Sequence, residues 1–323
     1  MQFRKFGRTG WQVSDIGYGM WGMGGWSGSD DDESLASLQR AVDLGCNFFD
    51  TAFVYGDGRS ENLLGQLVRA NADKKIYTAT KIPPKNMKYP TLPEYSLEEC
   101  YPPEHIEEFL HKSLKNANLE NFDLLQIHTW NDDWANADGW AEMLDSLKRQ
   151  GLINACGISI NRWEPWNGVK AVKSGKIDSV QLIYNIFDQN PEDELFPACD
   201  EMDVAVIARV PFDEGTLTGT LTKDTTFPEG DWRKGYFTPE NLIPSVQRAD
   251  ALKPLVPENS SMAEMALRFI LSNEKVSTII PGMRKLKNVE SNVASSDKGK
   301  LSVELLAELK NHSWVRKPAP WSD

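Results

Sequence analysis

The chain has 323 residues, of which 40% are hydrophobic and 25% charged, with a formal net charge of -12 and a pI of about 5.0. That hydrophobic share supplies a sizeable core. The acidic balance excludes a nucleic-acid partner, which would need a basic face. No stretch nears the roughly 18 apolar residues of a membrane-spanning helix. Met1-Gln2-Phe3-Arg4-Lys5 carries no apolar signal region, so a cytoplasmic protein is expected. Cys46, Cys100, Cys156 and Cys199 show neither CxxC pairing nor metal-ligand spacing. Cys46 and Cys156 stand in apolar runs and read as small core residues in a reducing compartment. An anionic cofactor would require a local basic cluster against the acidic field of the whole chain.

Short apolar runs end near Gly19, Asp50, Lys81, His128, Ser159, Asn185, Pro211 and Gly282. Amphipathic stretches lie between them. Leu35, Leu38 and Val42 keep helical spacing after an acidic start at Asp30 to Glu33 and before a stop at Gly45. Ile106, Phe109, Leu110 and Leu114 repeat the pattern, as do Trp140, Met143, Leu144 and Leu147 before Gly151. Met262, Met265, Ala266, Phe269 and Ile270 form another such face. Continuous apolar strands separated by helices imply parallel strands buried on both faces. Eight units without a break in composition predict an α/β fold, a single (β/α)₈ TIM barrel spanning 1–323, ahead of an open doubly wound sheet.

Two connections exceed ordinary length. One runs from Pro83 to Tyr101 and the other from Phe212 to about Pro244. Both follow strands, so both are expected at the C-terminal mouth, where long loops serve as lids or remain plain surface insertions. Two motifs mislead. Gly17-Tyr18-Gly19-Met20-Trp21-Gly22 fits GxGxxG, but Gly24, Gly25, Ser27 and Gly28 prolong a loop where a dinucleotide-binding helix should begin. Tyr77-Thr78-Ala79-Thr80-Lys81 fits YxxxK, a helical pairing. In a β-branched strand the two residues stand about 13 Å apart, which leaves Tyr77 a packing role.

Asp50, Tyr55, Lys81 and His128 fall at or just past the ends of the second, third and fourth strands. Each alone reads as an ordinary cap, loop aromatic, solvated charge or core histidine. Together they suit carbonyl reduction. Hydride attack leaves an alkoxide that needs a proton, and a phenol with an ordinary pKa near 10 donates better beside a cation. Lys81 would supply the cation, Asp50 would hold Lys81, and His128 would orient the substrate oxygen. His105 and His111 fall on different faces of one predicted helix, and His312 lies near the C-terminus.

These residues resemble the aldo-keto reductase superfamily over nearly the whole chain. The likeness begins at Phe6-Gly7-Arg8-Thr9-Gly10, similar to an N-terminal β-hairpin that plugs the barrel bottom. It continues through Phe49-Asp50-Thr51-Ala52 with Tyr55-Gly56, Lys81 and Gln126-Ile127-His128, and reaches Ile280-Pro281-Gly282. The resemblance implies reduction of an aldehyde or ketone with NADPH, without metal. It implies Ser159 and Gln181 at the nicotinamide carboxamide, with Tyr184 a weaker candidate. The family's adjacent Ser-Asn pair is interrupted here, which displaces Asn161 by one. Arg209 replaces the aromatic residue that usually stacks on the nicotinamide. Pro211 to Gly219, with Gly215 and Leu217, resembles the pyrophosphate segment, although Asp213 and Glu214 add acidity.

After Gly282 come Arg284 and Lys285, adjacent cations suited to a 2′-phosphate beside a helix N-terminus. Asn288 and Asn292 resemble adenine contacts. A solvated basic helix start is the plainer reading of this cluster. Trp21 and Trp130, with Met20, Phe53 and the Pro83–Tyr101 loop, are candidate walls for a small-molecule carbonyl substrate. A second function class is a cofactor-binding sensor or regulatory subunit on the same barrel. A third, a metal-dependent hydrolase using Asp50 and His128, lacks a second histidine in position.

Overall fold

The computed structural model describes residues 1–25 and 28–316. Ser27 of the glycine-rich loop and the last seven residues of the expected domain lie outside them. Ten strands are present among the described residues. An antiparallel hairpin pairs β1 (Phe3–Phe6) with β2 (Trp11–Ser14). Eight parallel strands follow: β3 (Tyr18–Gly19), β4 (Phe48–Asp50), β5 (Tyr77–Ile82), β6 (Phe122–Ile127), β7 (Ile153–Ser159), β8 (Ser179–Ile183), β9 (Ala205–Arg209) and β10 (Thr278–Ile279). They pair in chain order, and bridges Ile16↔Ile279 and Gly19↔Gly282 bring β10 back to β3. This is the expected barrel, with helices between its strands.

The glycines of the GxGxxG motif serve this closure. A Cβ on Gly17 would stand 2.9 Å from the Phe48 carbonyl oxygen, and one on Gly19 would stand 2.5 Å from that of Ile280. Their missing side chains let neighbouring strands approach, and a 3₁₀ turn over Trp21–Met23 follows in place of a phosphate-binding helix.

Helices form where the apolar spacing predicts them, over Asp31–Asp43, Pro103–Ala117, Trp140–Arg149 and Met262–Ser272. The Asp30 carboxylate caps the first by accepting the Glu33 N–H at 2.9 Å. The long connection after β9 is shorter than expected. Helix Pro239–Leu252 starts inside it and carries Pro244 in its interior. Pro239 suits a first helical position, and Leu242, Val246, Ala249 and Leu252 form a buried face that outweighs the bond lost at Pro244.

Strand alternation sorts the barrel interior into layers. Phe48, Tyr77, Ala79, Leu124, Ala155, Ala205 and Ile207 form an apolar lower core with Phe6 and Val13 of the hairpin. Trp11 stacks on Tyr77 at 5.0 Å and Phe6 meets Phe48 at 5.3 Å, so the hairpin seals the bottom and Tyr77 has its packing role. Two residues past Phe48, Ala79 and Leu124 the inward positions turn polar, to Asp50, Lys81 and Gln126, and Gln181 of β8 bonds into the same group. That change of character along the axis puts the chemistry at the C-terminal mouth.

Candidate active site

Lys81 is fully buried. Its ammonium donates to Asp50 Oδ1, to the Thr51 carbonyl at 2.7 Å and to the Tyr55 hydroxyl at 3.4 Å. Asp50 Oδ2 accepts the side-chain amides of Gln126 and Gln181, each at 2.9 Å. The carboxylate is thereby held on both oxygens, which offsets much of the cost of burying the ion pair. Gln126 carries no role in the reading of the sequence. Its signal is its phase, since Leu124, Gln126 and His128 share one side of the run, and a buried amide inside a barrel requires a partner.

The Tyr55 ring meets the His128 ring edge-on at 5.9 Å, and Tyr89 meets His128 from the other loop at 5.3 Å. The structure thus gathers Asp50, Tyr55, Lys81 and His128 at one end of the barrel. It corrects the electrostatic expectation for Tyr55. Burial pushes the phenol above its ordinary value, and the pull of Lys81, itself opposed by Asp50, does not overcome it. The ammonium stands closer to Asp50 and the Thr51 carbonyl than to the phenol. His128 lies well below its usual value through burial, then through the nearby Lys81 and Arg209 cations. Its Nδ1 is buried without a hydrogen-bond partner.

Ser159 pairs with Gln181 across β7 and β8, beside the Asp50 end of the barrel. Gln181 gives its amide hydrogens to Asp50 and to Gln126 Oε1 at 3.2 Å. Asn161 is committed elsewhere. It donates to the Thr91 carbonyl at 2.8 Å and accepts the Thr91 N–H at 3.2 Å, fastening the Pro83–Tyr101 loop to the end of β7. Tyr184 faces outward, packing on Phe196 and Phe269 and hydrogen-bonding Glu192 at 2.5 Å. A strand-side flip separates it from Gln181.

Pro211, Gly215 and Leu217 lie on a contorted segment. Val210, Asp213 and Glu214 all have positive φ, and Gly215 has φ 114° with open space where a Cβ would stand. Such left-handed runs form anion-binding concavities. The acidity of this segment is explained by arginines unforeseen in the sequence. Glu214 accepts from Arg162 at 2.6 Å, and Asp213 accepts from Arg316 at 2.6 Å. Arg316 also binds Asp188 at 2.6 Å and lies over the Trp163 and Trp314 rings. Gly282 is exposed, Lys285 immediately precedes helix Leu286–Ala294, and Asn288 and Asn292 lie on that helix. Arg284 donates to the Gly22 carbonyl at 3.3 Å.

Trp21 is 41% exposed and meets Trp232 of the loop after β9 edge-on at 5.5 Å, so two loops touch across the mouth. Trp130 does not line that opening. It is fully buried, gives its indole N–H to Asp132 at 3.1 Å and packs against Trp134 and Trp140. Met20 is likewise buried and Phe53 packs on Phe109. Among the described residues, no group of three or more His, Cys, Asp or Glu could hold a metal ion. Nor is any helix there long and apolar enough to cross a membrane. All four cysteines are buried free thiols.

An eight-stranded barrel with a buried Lys–Asp pair beside a tyrosine at its mouth defines an oxidoreductase-type site. The model of the aldo/keto reductase family matches residues 15–313, and the chain belongs to that family. The chain is 28% identical over 318 residues to an aldo-keto reductase of Schizosaccharomyces pombe, yakc, named for NADP(+), covering 95% of this chain and 90% of the relative. It is 27% identical over 301 residues to the NADH-specific methylglyoxal reductase of Escherichia coli, covering 90% of this chain and 91% of the relative. The solved holo form of aldo-keto reductase AKR11C1 from Bacillus halodurans superposes with a TM-score of 0.78 at 25% identity, covering 100% of both chains.

Proposed function

We propose that this chain, acting as one domain over residues 1–323 in the cytoplasm, is an NADPH-dependent reductase that converts an aldehyde or ketone to an alcohol. The reading rests on one observation, the 3.4 Å contact between the Lys81 ammonium and the Tyr55 hydroxyl above a fully braced Asp50. A nicotinamide cofactor held at this mouth would supply the hydride that the carbonyl carbon takes up. Tyr55 then gives its hydroxyl proton to the oxygen, an alkoxide being a far stronger base than a phenolate even when burial raises the phenol. Lys81 balances the phenolate charge, and Asp50 with Gln126 and Gln181 keeps Lys81 aimed. Neutral His128 orients the carbonyl oxygen, and Trp21 walls the opening.

Several features support a dinucleotide fit. Gln181 Oε1 accepts no hydrogen bond from the described residues. Arg209 Nε and Thr216 Oγ1 are buried without partners, and Gly215 has a left-handed φ of 114° with open space where a side chain would stand. Ser159 and Gln181 would hold the carboxamide, and Pro211, Gly215 and Leu217 the diphosphate. Gly282, Arg284 and Lys285 would hold the 2′-phosphate, and Asn288 and Asn292 the adenine. A relative specific for NADH shows that cofactor choice varies among similar chains, so the preference for NADPH rests on Arg284 and Lys285.

The test mixes the purified chain with NADPH and a panel of aldehydes and ketones, following the cofactor's absorbance. Steady consumption with at least one carbonyl is expected. Tight NADPH binding with negligible consumption across the panel would instead assign a sensor role.

A further inference from the structure

Among the described residues, Arg209 at the mouth of the barrel forms no salt bridge, although its cationic neighbours do. Lys81 is paired with Asp50, Arg162 with Glu214, and Arg316 with Asp188 and Asp213. Arg209, the last residue of β9, has no carboxylate within 4 Å among the described residues. Its guanidinium makes one hydrogen bond, to the Ile160 carbonyl at 3.1 Å, while its Nε is buried without a partner. Burial and the neighbouring Arg162 pull its pKa down to about 10, which leaves it charged at neutral pH. A partly buried cation left unpaired by the fold exerts its field on whatever occupies the space beside it.

The strand register identifies that occupant, given the cofactor reading above, on which this inference rests. Ser159 stands opposite Gln181, and Ile183 stands opposite Arg209. Arg209 bonds the residue next to Ser159 and is followed two residues later by Pro211 of the contorted segment. A dinucleotide with its carboxamide at Ser159 and Gln181 and its diphosphate along residues 211–219 must lay its nicotinamide ring beside Arg209. The oxidised ring carries a positive charge and the reduced ring carries none. Planar guanidinium accepts either ring as a stacking surface, but only the oxidised one meets like-charge repulsion.

We propose that Arg209 selects the redox state of the bound cofactor, admitting reduced nicotinamide and disfavouring the oxidised form. The field raises the free energy of bound NADP+ relative to bound NADPH. It therefore promotes departure of the spent cofactor and biases cofactor exchange toward carbonyl reduction. An aromatic residue in the same position would stack without this bias.

The experiment titrates the purified full-length chain and its variants with NADPH and separately with NADP+, reading protein fluorescence quenching at equilibrium. Wild type is expected to bind NADPH at least tenfold more tightly than NADP+. In Arg209→Met the NADP+ affinity should rise about tenfold while NADPH changes less than threefold. Arg209→Lys, which keeps the charge, should hold the wild-type ratio. Arg209→Gln carries the same expectation as the Met variant should that protein fail to fold. Equal changes in both affinities, or a neutral variant with the wild-type ratio, would overturn the proposal. If wild type binds neither nucleotide, the cofactor reading itself falls and takes this inference with it. Binding with an unchanged ratio removes the inference alone.

Discussion

The Lys81 ammonium reaches the Tyr55 hydroxyl at 3.4 Å from a position anchored more tightly to Asp50 and the Thr51 carbonyl. Lys81 therefore acts on Tyr55 mainly through charge. Its geometry is set from below, by a carboxylate that two glutamine amides hold in turn.

Removing the phenolic oxygen tests the proton donor directly. Tyr55→Phe keeps the ring and its edge contact with His128 but has no proton to give. We expect kcat for carbonyl reduction to fall by about 10²–10⁴, with NADPH affinity changed less than threefold. Stopped-flow turnover paired with fluorescence titration measures both. A mutant within threefold of wild-type turnover would remove Tyr55 from the chemistry.

Breaking the ion pair beneath it should cost stability as well as rate. Lys81→Met leaves the 2% exposed Asp50 carboxylate with two amides and no cation. The expected loss is about 3–5 kcal/mol in urea unfolding. Adding Asp50→Asn should recover much of that loss without restoring turnover, because the uncompensated charge is gone while the cation beside Tyr55 is still missing. A double variant no more stable than Lys81→Met would show that packing, not charge, sets the cost.

His128 gives a pH signature with a definite sign. Its folded pKa lies well below 6.5, so below pH 6.5 the unfolded chain binds more protons at this position than the native one. Its contribution to stability is full above pH 6.5 and declines as pH falls toward the folded pKa, by at most about 1.4 kcal/mol per pH unit. His128→Gln should flatten this part of the stability profile between pH 5 and 7 in denaturant titrations. An unchanged slope would mean that other groups carry the acid sensitivity.

The barrel and the meeting of Asp50, Tyr55, Lys81 and His128 at one end of it were legible because two regularities reach the sequence directly. Apolar runs punctuated by helical spacing marked all eight barrel strands, and strand phase put Asp50, Lys81 and His128 at the same end. What stayed hidden depends on contacts between distant segments. Trp130 stood near a strand end like Trp21, yet its indole turned to Asp132, two residues away, and into the outer core. Asp213 and Glu214 looked misplaced beside a phosphate until Arg162 and Arg316 arrived from elsewhere in the chain. The net effect on Tyr55 was equally hidden, since burial and the division of Lys81 among three acceptors have no signature in local sequence.

Asp213 and Glu214 sit in left-handed backbone that ordinary residues adopt only at a cost of about 1–3 kcal/mol each, and each side chain is tied to an arginine from another loop. Arg316, buried between Trp163 and Trp314, joins Asp213 to Asp188 and so couples the C-terminal segment to the loops after β8 and β9. Arg316→Met should let the segment relax. If residues 211–219 hold the diphosphate, the Michaelis constant for NADPH should rise about tenfold, while kcat at saturating cofactor stays within threefold because the Tyr55–Lys81 pair is untouched. Arg316→Lys should restore part of the affinity by supplying one of the two ion pairs. A variant that loses kcat in step with cofactor affinity would show instead that Arg316 supports the whole mouth and not this segment.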